Sequence, residues 1–279
     1  MSDILITGAY GQLGIAMQEV LDAHHIQYEA KGSKTLNIIN RNEVMEYFKV
    51  HQPKIVYHCA AYTAVDKAEE EEKELNYQVN VQGTQNIVDA CKKYNTLLVF
   101  ISTDYVFSGN QELEYKVTDT LCPINEYGKS KMEAEAIVTR NLEHYYIVRT
   151  SSVYGEGNNF VKTMLRLSEQ YDEIRVVSDQ ICRPTWTHTL AEFLYYLVEE
   201  KCDYGIYHCS DDGTCSWYEF AKEILKDKSV TVTPISTAEY PTKAHRPKNS
   251  VMKLSKEIGF QFPLWQDSLS KYIKDLEKD

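Results

Sequence analysis

Three groups of residues in this 279-residue chain have the types and spacing to do chemistry. Tyr127 and Lys131 stand four apart in Tyr127-Gly128-Lys129-Ser130-Lys131, so a helix would place a phenol and an ammonium on one face. An ammonium beside a phenol favours the phenolate and lowers its pKa, which suits proton transfer near neutral pH. Ser102-Thr103-Asp104 leaves an apolar run at 97–101, delivering a hydroxyl to a sheet edge where it can hydrogen-bond a developing alkoxide. Gly8-Ala9-Tyr10-Gly11-Gln12-Leu13-Gly14 sits between a strand-like run and an amphipathic stretch. Glycines there permit a tight turn and let backbone N–H groups approach a pyrophosphate at a helix N-terminus. The spacing is G-x-x-G-x-x-G, which departs from the commoner G-x-G-x-x-G dinucleotide fingerprint.

None of these signals is strong alone. Tyr218 and Lys222 repeat the tyrosine–lysine spacing in a second helical stretch, where no other reactive residue accompanies them. That pair reads as packing plus a surface lysine. Cys59-Ala60-Ala61, after a third apolar run, supplies small residues where a cofactor must pass close to the backbone. His58 beside them reads as a satisfied core histidine. In 28–34, Lys31, Ser33 and Lys34 suit a ribose 2′-phosphate, whereas Glu29 could take a free 2′-OH only if its strand ended early. This favours NADPH and leaves NADH possible.

The elements that must position these groups follow from periodicity. Apolar runs at 4–6, 26–28, 55–58, 97–101 and 145–148 alternate with amphipathic stretches at 13–23, 41–50, 75–94 and 125–141. Such alternation predicts an α/β fold, a doubly wound parallel sheet with helices on both faces and ligands at the strands' carboxyl ends. Two further strands of the same sheet are expected at 174–177 and 205–208, with a helix at 190–199 between them. The prolines at 234, 241, 247 and 263 lie among short elements and suggest a smaller, discontinuous C-terminal α/β substrate lobe. The expected division is 1–154 with about 174–209 for the dinucleotide-binding part, and about 155–173 with 210–279 for the lobe. Glu69 to Glu72 read as a solvated helix face.

Composition narrows the class. Hydrophobic residues are 43% and charged residues 25%, ordinary for a globular protein, while the net charge of -11 argues against a nucleic-acid surface. No basic leader precedes an apolar stretch and no apolar run is long enough to cross a bilayer, so a cytoplasmic protein without a membrane partner is expected. Seven scattered cysteines without a C-x-x-C pattern read as reduced thiols.

Taken together, the residues resemble the dTDP-4-dehydrorhamnose reductase family of extended short-chain dehydrogenases, which have a Rossmann sheet. The resemblance rests on Gly8-x-x-Gly11-x-x-Gly14, on the string from Ala60 through Val65-Asp66-Lys67-Ala68-Glu69, and on Ser102 to Phe107 with Tyr127 to Lys131. It continues through Arg149-Thr150-Ser151, Gly157-Asn158-Asn159-Phe160, Asp179-Gln180, Pro184-Thr185 and Arg246-Pro247-x-Asn249-Ser250, and so covers nearly the whole chain. It implies NAD(P)H-dependent reduction of the C4 ketone of a nucleotide-linked 4-keto-6-deoxy sugar. Thr103, Tyr127 and Lys131 would be catalytic. Gly8, Tyr10, Gly11, Gln12, Leu13, Gly14, Lys31, Ser33, Cys59, Ala60 and Ala61 would hold the cofactor with Tyr127 and Lys131.

The resemblance also implies a sugar pocket of Thr63, Val65, Asp104, Tyr105 and Ser152, and a nucleotide-diphosphate grip from Asn159, Arg246 and Asn249. Two positions depart from the family: Ser152 stands where Trp is usual, and Cys182 replaces a glycine before Arg183, an added cation near the expected diphosphate. The family's occasional magnesium glutamate is matched by Ala16, so no metal is expected, and the chain is expected to be a monomer or weak homodimer. A reductase for a different 4-keto nucleotide sugar, and a cofactor-binding regulatory subunit without catalysis, remain open alternatives.

Overall fold

The structure, a computed structural model, describes residues 2–277. Its first half alternates strand and helix: β1 (Ile4–Thr7), α1 (Gln12–Ala23), β2 (Glu29–Lys31), α2 (Arg41–His51) and β3 (Ile55–His58). There follow α3 (Lys73–Tyr77), a π-helical turn (Gln78–Gly83), α4 (Thr84–Tyr94), β4 (Leu97–Thr103), α5 (Glu126–Asn141) and β5 (Tyr145–Thr150). The second half holds β6 (Val153–Tyr154), α6 (Phe160–Ser168), β7 (Glu173–Val177), β8 (Ile181–Cys182), β9 (Thr185–Trp186) and α7 (Thr187–Glu199). It ends with β10 (Gly205–His208), β11 (Cys215–Ser216), α8 (Trp217–Ile224), β12 (Thr231–Ile235) and α9 (Trp265–Leu276).

Six parallel strands form the central sheet in the order β10-β5-β4-β3-β1-β2. Both faces are apolar because both are covered. Met17, Val20 and Leu21 of α1 and Leu190, Phe193 and Leu194 of α7 cover one face. Val44 and Phe48 of α2, Ile87 and Val88 of α4, and Ala134 and Val138 of α5 cover the other. The strand order reverses between β1 and β3, which opens a crevice at their carboxyl ends.

Several expectations need correction. The second strand is Glu29–Lys31, and residues 26–28 precede it. Glu29 therefore begins the strand and Lys31 ends it. The strand expected at 174–177 forms as β7, but it pairs with β12 in a separate two-stranded sheet rather than with the central sheet. Its alternating burial, one face in and one out, is that of a half-exposed sheet. β7 packs with α6, α8 and α9 in a second core around Met164, Ile174, Val176, Phe220, Trp265 and Leu269. The helix expected at 75–94 is interrupted by the π-turn; Asn80 within it and Asn76 of α3 just before it are both buried.

Candidate active site

The phosphate loop is shaped by contacts that only glycine tolerates. Gly8 has φ +67°, and a Cβ there would lie 2.6 Å from Ala60 N, the strand-end backbone across the crevice. A Cβ on Gly14 would overlap the Gly8 carbonyl oxygen. The first turn of α1 has no acidic residue, and its N-cap, Gly11, offers no side chain to the free N–H groups. An N-terminus so arranged suits a pyrophosphate. Gln12 lines the cleft and its Oε1 is buried without a hydrogen-bond partner. These features fit a dinucleotide.

The helix that carries Tyr127 is seated as tightly. Asn125 caps α5, its side chain accepting from Gly128 N at 2.7 Å. A Cβ on Gly128 would overlap the Tyr105 carbonyl, so this glycine lets the first turn of α5 rest on the turn that leaves β4. Tyr127 is thereby brought beside Thr103 and Asp104. Ser130 donates to Asn76 Oδ1 at 3.0 Å and accepts from Asn80 Nδ2 at 3.0 Å. Asn80 also pairs both ways with the backbone of Tyr62, at 2.8 and 3.1 Å. The π-turn thus ties α5 to the loop bearing Thr63 and Val65; π-turns concentrate at functional sites.

A cleft of about 520 Å³ at the strands' carboxyl ends collects most of the expected residues. Gly11, Gln12, Leu13, Cys59, Ala61, Thr63, Val65, Thr103, Asp104, Tyr105, Tyr127, Lys131, Ser152 and Asn159 all line it. A neighbouring hollow of about 350 Å³, sharing Gly11, Cys59 and Ala61 with the cleft, adds Gly8, Tyr10, Ser33 and Ala60. Gly14 acts beneath the loop through its packing. Lys31 lines neither space; its ammonium is 2.7 Å from Glu29.

Three residues assigned to the diphosphate lie outside the cleft lining. Arg246 binds Asp66 at 2.7 Å. Arg183 is buried and paired with Glu114, with Asp212 at 3.7 Å. Asn249 spends its amide donors on the carbonyls of Gln111 and Glu112 and its oxygen on Val251 N. In this structure Asn249 and Arg183 therefore fasten the 111–114 loop to the lobe. Asn159 does line the cleft, but its side chain caps α6 and donates to Tyr272 Oη at 2.9 Å.

Hydrogen-bond direction defines what the reactive hydroxyls offer. Thr103 donates to Asp104 Oδ1 at 2.9 Å and accepts from Tyr105 N at 3.2 Å. Burial raises the Asp104 carboxyl to about 6. The lowered phenol expected at Tyr127 is not what the structure shows. Burial first, then Asp104, raises it, and Thr103 pulls it the other way. Tyr127 consequently keeps its proton at neutral pH and is an acid. Lys131, almost wholly buried with its Nζ 4.1 Å from the Phe100 ring centroid, is lowered to about 7 by burial, against the pull of Glu135.

His58 is a core histidine, as expected: it bonds Thr7 at 2.7 Å and Thr84 at 3.3 Å, and burial lowers it to about 3. Tyr218 packs on the lobe core away from the cleft, and the exposed Lys222 lies over its ring. The acidic run is more than a solvated face. Glu69 accepts from Glu126 N at 2.7 Å at the start of α5, and Glu72 pairs with Lys67 at 3.0 Å. Spacing alone did not point to Phe160 and Trp217, whose rings, 4.7 Å apart, form the lobe-side wall of the cleft. The string 157–160 had marked the neighbourhood of Phe160; nothing in the sequence marked Trp217.

Comparison with known proteins settles the relationship. The model of the RmlD substrate binding domain matches residues 1–278. A dTDP-4-dehydrorhamnose reductase from Aggregatibacter actinomycetemcomitans is 40% identical, the match covering 96% of this chain and 97% of the relative. The chain belongs to the dTDP-4-dehydrorhamnose reductase family. A solved structure described as a dTDP-4-dehydrorhamnose reductase from Clostridium acetobutylicum superposes with a TM-score of 0.95 at 42% identity, covering 98% of this chain and 99% of that one. The family's structure from Bacillus anthracis, in complex with NADP, gives 0.94 at 41% identity over 99% and 100%. The fold is that of the Rossmann-type extended short-chain dehydrogenases. Among the described residues no helix is long and apolar enough to cross a membrane.

Proposed function

We propose that this protein reduces dTDP-4-dehydro-L-rhamnose to dTDP-L-rhamnose with NADPH. The observation that carries the proposal is the convergence of Thr103, Tyr127 and Lys131 on one cleft with the phosphate loop. A nicotinamide bound there supplies hydride for the sugar C4. Tyr127, held protonated by its surroundings, gives its proton to the ketone oxygen as that oxygen gains electron density. Thr103 polarises the same oxygen once its hydroxyl turns from Asp104 into the cleft. Lys131, one turn further along the same helix face, would hold the nicotinamide ribose, and its ammonium form offsets the negative charge left on Tyr127 when the phenol gives up its proton. Val65 and the Phe160–Trp217 wall keep the chemistry out of bulk water.

A second reading, a different 4-keto nucleotide sugar, draws support from Ser152. It lines the cleft at φ +46°, a left-handed conformation uncommon for a non-glycine residue, and carries a small side chain where the family usually has Trp. Arg183 lends this reading less, because its charge is taken by Glu114 and Asp212. The seven free cysteines support a reducing, cytoplasmic setting. The test is product identification: wild-type protein, NADPH and a panel of 4-keto-6-deoxy nucleotide sugars, with the product's C4 configuration read by NMR. Fastest turnover of the dTDP-L-lyxo substrate supports the first reading. Fastest turnover of another sugar supports the second, and turnover of none favours a regulatory subunit.

A further inference from the structure

Strand β2 ends at Lys31, whose carbonyl accepts from Ala9 N of the phosphate loop at 3.2 Å. In open α/β sheets the end of this strand meets the adenosine ribose: an acid there takes the 2′-OH, and a cation accommodates a 2′-phosphate. Ser33, two residues on, already lines the hollow beside the loop. The position thus holds the charge that a phosphorylated ribose needs.

That charge is not free. Glu29, two residues earlier and so on the same face of the strand, holds the Lys31 ammonium at 2.7 Å. Glu29 is itself fixed, because Tyr47 of α2 donates to its Oε2 at 3.2 Å and His51 Nδ1 lies 3.3 Å from its Oε1. Both members of the ion pair are about three-quarters buried, so solvent replaces neither readily.

We propose that Glu29 is a specificity-determining residue for the cofactor: by holding Lys31 it limits the preference for a 2′-phosphorylated dinucleotide over the unphosphorylated one. The two residues act with opposite sign. Lys31 attracts the 2′-phosphate, and Glu29 both withholds that lysine and repels the phosphate. This rests on the dinucleotide site and not on the identity of the sugar.

The test is binding without turnover. Dissociation constants for NADP+ and NAD+ are measured by calorimetry on the full chain, for wild type, E29Q and K31M, with circular dichroism to verify folding. E29Q should raise the NADP+ over NAD+ preference and K31M should lower it, each by about fivefold, the scale of one partly exposed ion pair. NAD+ affinity should stay within about twofold in both, since that ligand has no charge at the 2′ position. Preference moving the same way in both variants, or in neither, overturns the proposal. If losing Glu29 unfolds the edge strand, K31M decides alone: unchanged NADP+ affinity refutes it. Wild type that binds neither dinucleotide overturns the cofactor site and this proposal together.

Discussion

The cleft's two walls are held by different kinds of contact. On the sheet side the reactive groups sit on strand ends and helix first turns, fixed by backbone packing at Gly8, Gly14 and Gly128 and by buried side chains. Behind them Glu135 takes a two-pronged grip from Arg149 at 2.9 and 2.7 Å and a hydroxyl from Ser102 at 2.5 Å. Arg149 then reaches His208 at 3.3 Å and Val117 O at 3.1 Å. On the lobe side Arg246 and Arg183, which lie outside the cleft lining, are held by the partly exposed carboxylates Asp66 and Glu114. Chemistry requires a site fixed to a fraction of an ångström, and that wall is rigid. The lobe-side cations are held instead by pairs whose acids solvent reaches, so these contacts can exchange partners.

Breaking the rigid wall should have the largest effect. Glu135→Ala leaves the buried Arg149 guanidinium without its partner, a loss of about 3–5 kcal/mol in unfolding free energy. Urea denaturation measures it, and a loss under about 1 kcal/mol, the range of an exposed pair, would erase the distinction between the walls.

The same wall should be sensitive to acid. Burial lowers His58 and His208 to about 3, with Arg149 adding to the effect at His208. Unfolded, each takes up a proton below about 6.5, so the folded state binds fewer protons between those values. Stability from this source is complete above pH 6.5 and drains away as pH falls toward 3. Thermal melts of His58→Gln should show a shallower decline over that window; an unchanged slope would count against the neutral, buried histidine.

At the reacting centre the expected effect is intermediate. Asp104 raises Tyr127, so Asp104→Asn should lower the tyrosine's pKa and move the alkaline fall in reduction rate to lower pH. The accompanying loss in kcat should be on the order of tenfold, since Thr103 keeps an acceptor in the asparagine oxygen. A pH–rate profile measures both, and an upward shift would contradict the assignment.

The sheet side was legible because its determinants are local in sequence. A glycine loop, a hydroxyl leaving a strand and a tyrosine four before a lysine can each be read within seven residues. Position, not the tyrosine–lysine spacing, separated Tyr127 from its decoy Tyr218. What could not be read was how charges cancel. Arg183 looked like a spare cation because Glu114 lies 69 positions away in sequence, and Arg246 is paired across 180. Nor could spacing show that burial and Asp104 would raise the Tyr127 phenol. The expectation that β7 joins the central sheet fails for a related reason: its partner β12 comes more than fifty residues later.

The lobe wall should respond least. Asp66→Asn breaks a pair whose acid is partly exposed, so stability should change by no more than about 1 kcal/mol, while substrate KM falls as Arg246 is released. A larger loss of stability with no change in KM would mean that this pair is structural, and the contrast between the walls would fail on this side.

The most direct measurement follows NADPH absorbance with dTDP-4-keto-6-deoxy-L-lyxo-hexulose for wild type and Tyr127→Phe. The account predicts steady oxidation by wild type and a loss of about a hundredfold or more in kcat for the variant, with NADPH affinity retained, as expected for removal of a general acid. Oxidation at an undiminished rate without the Tyr127 hydroxyl would contradict it.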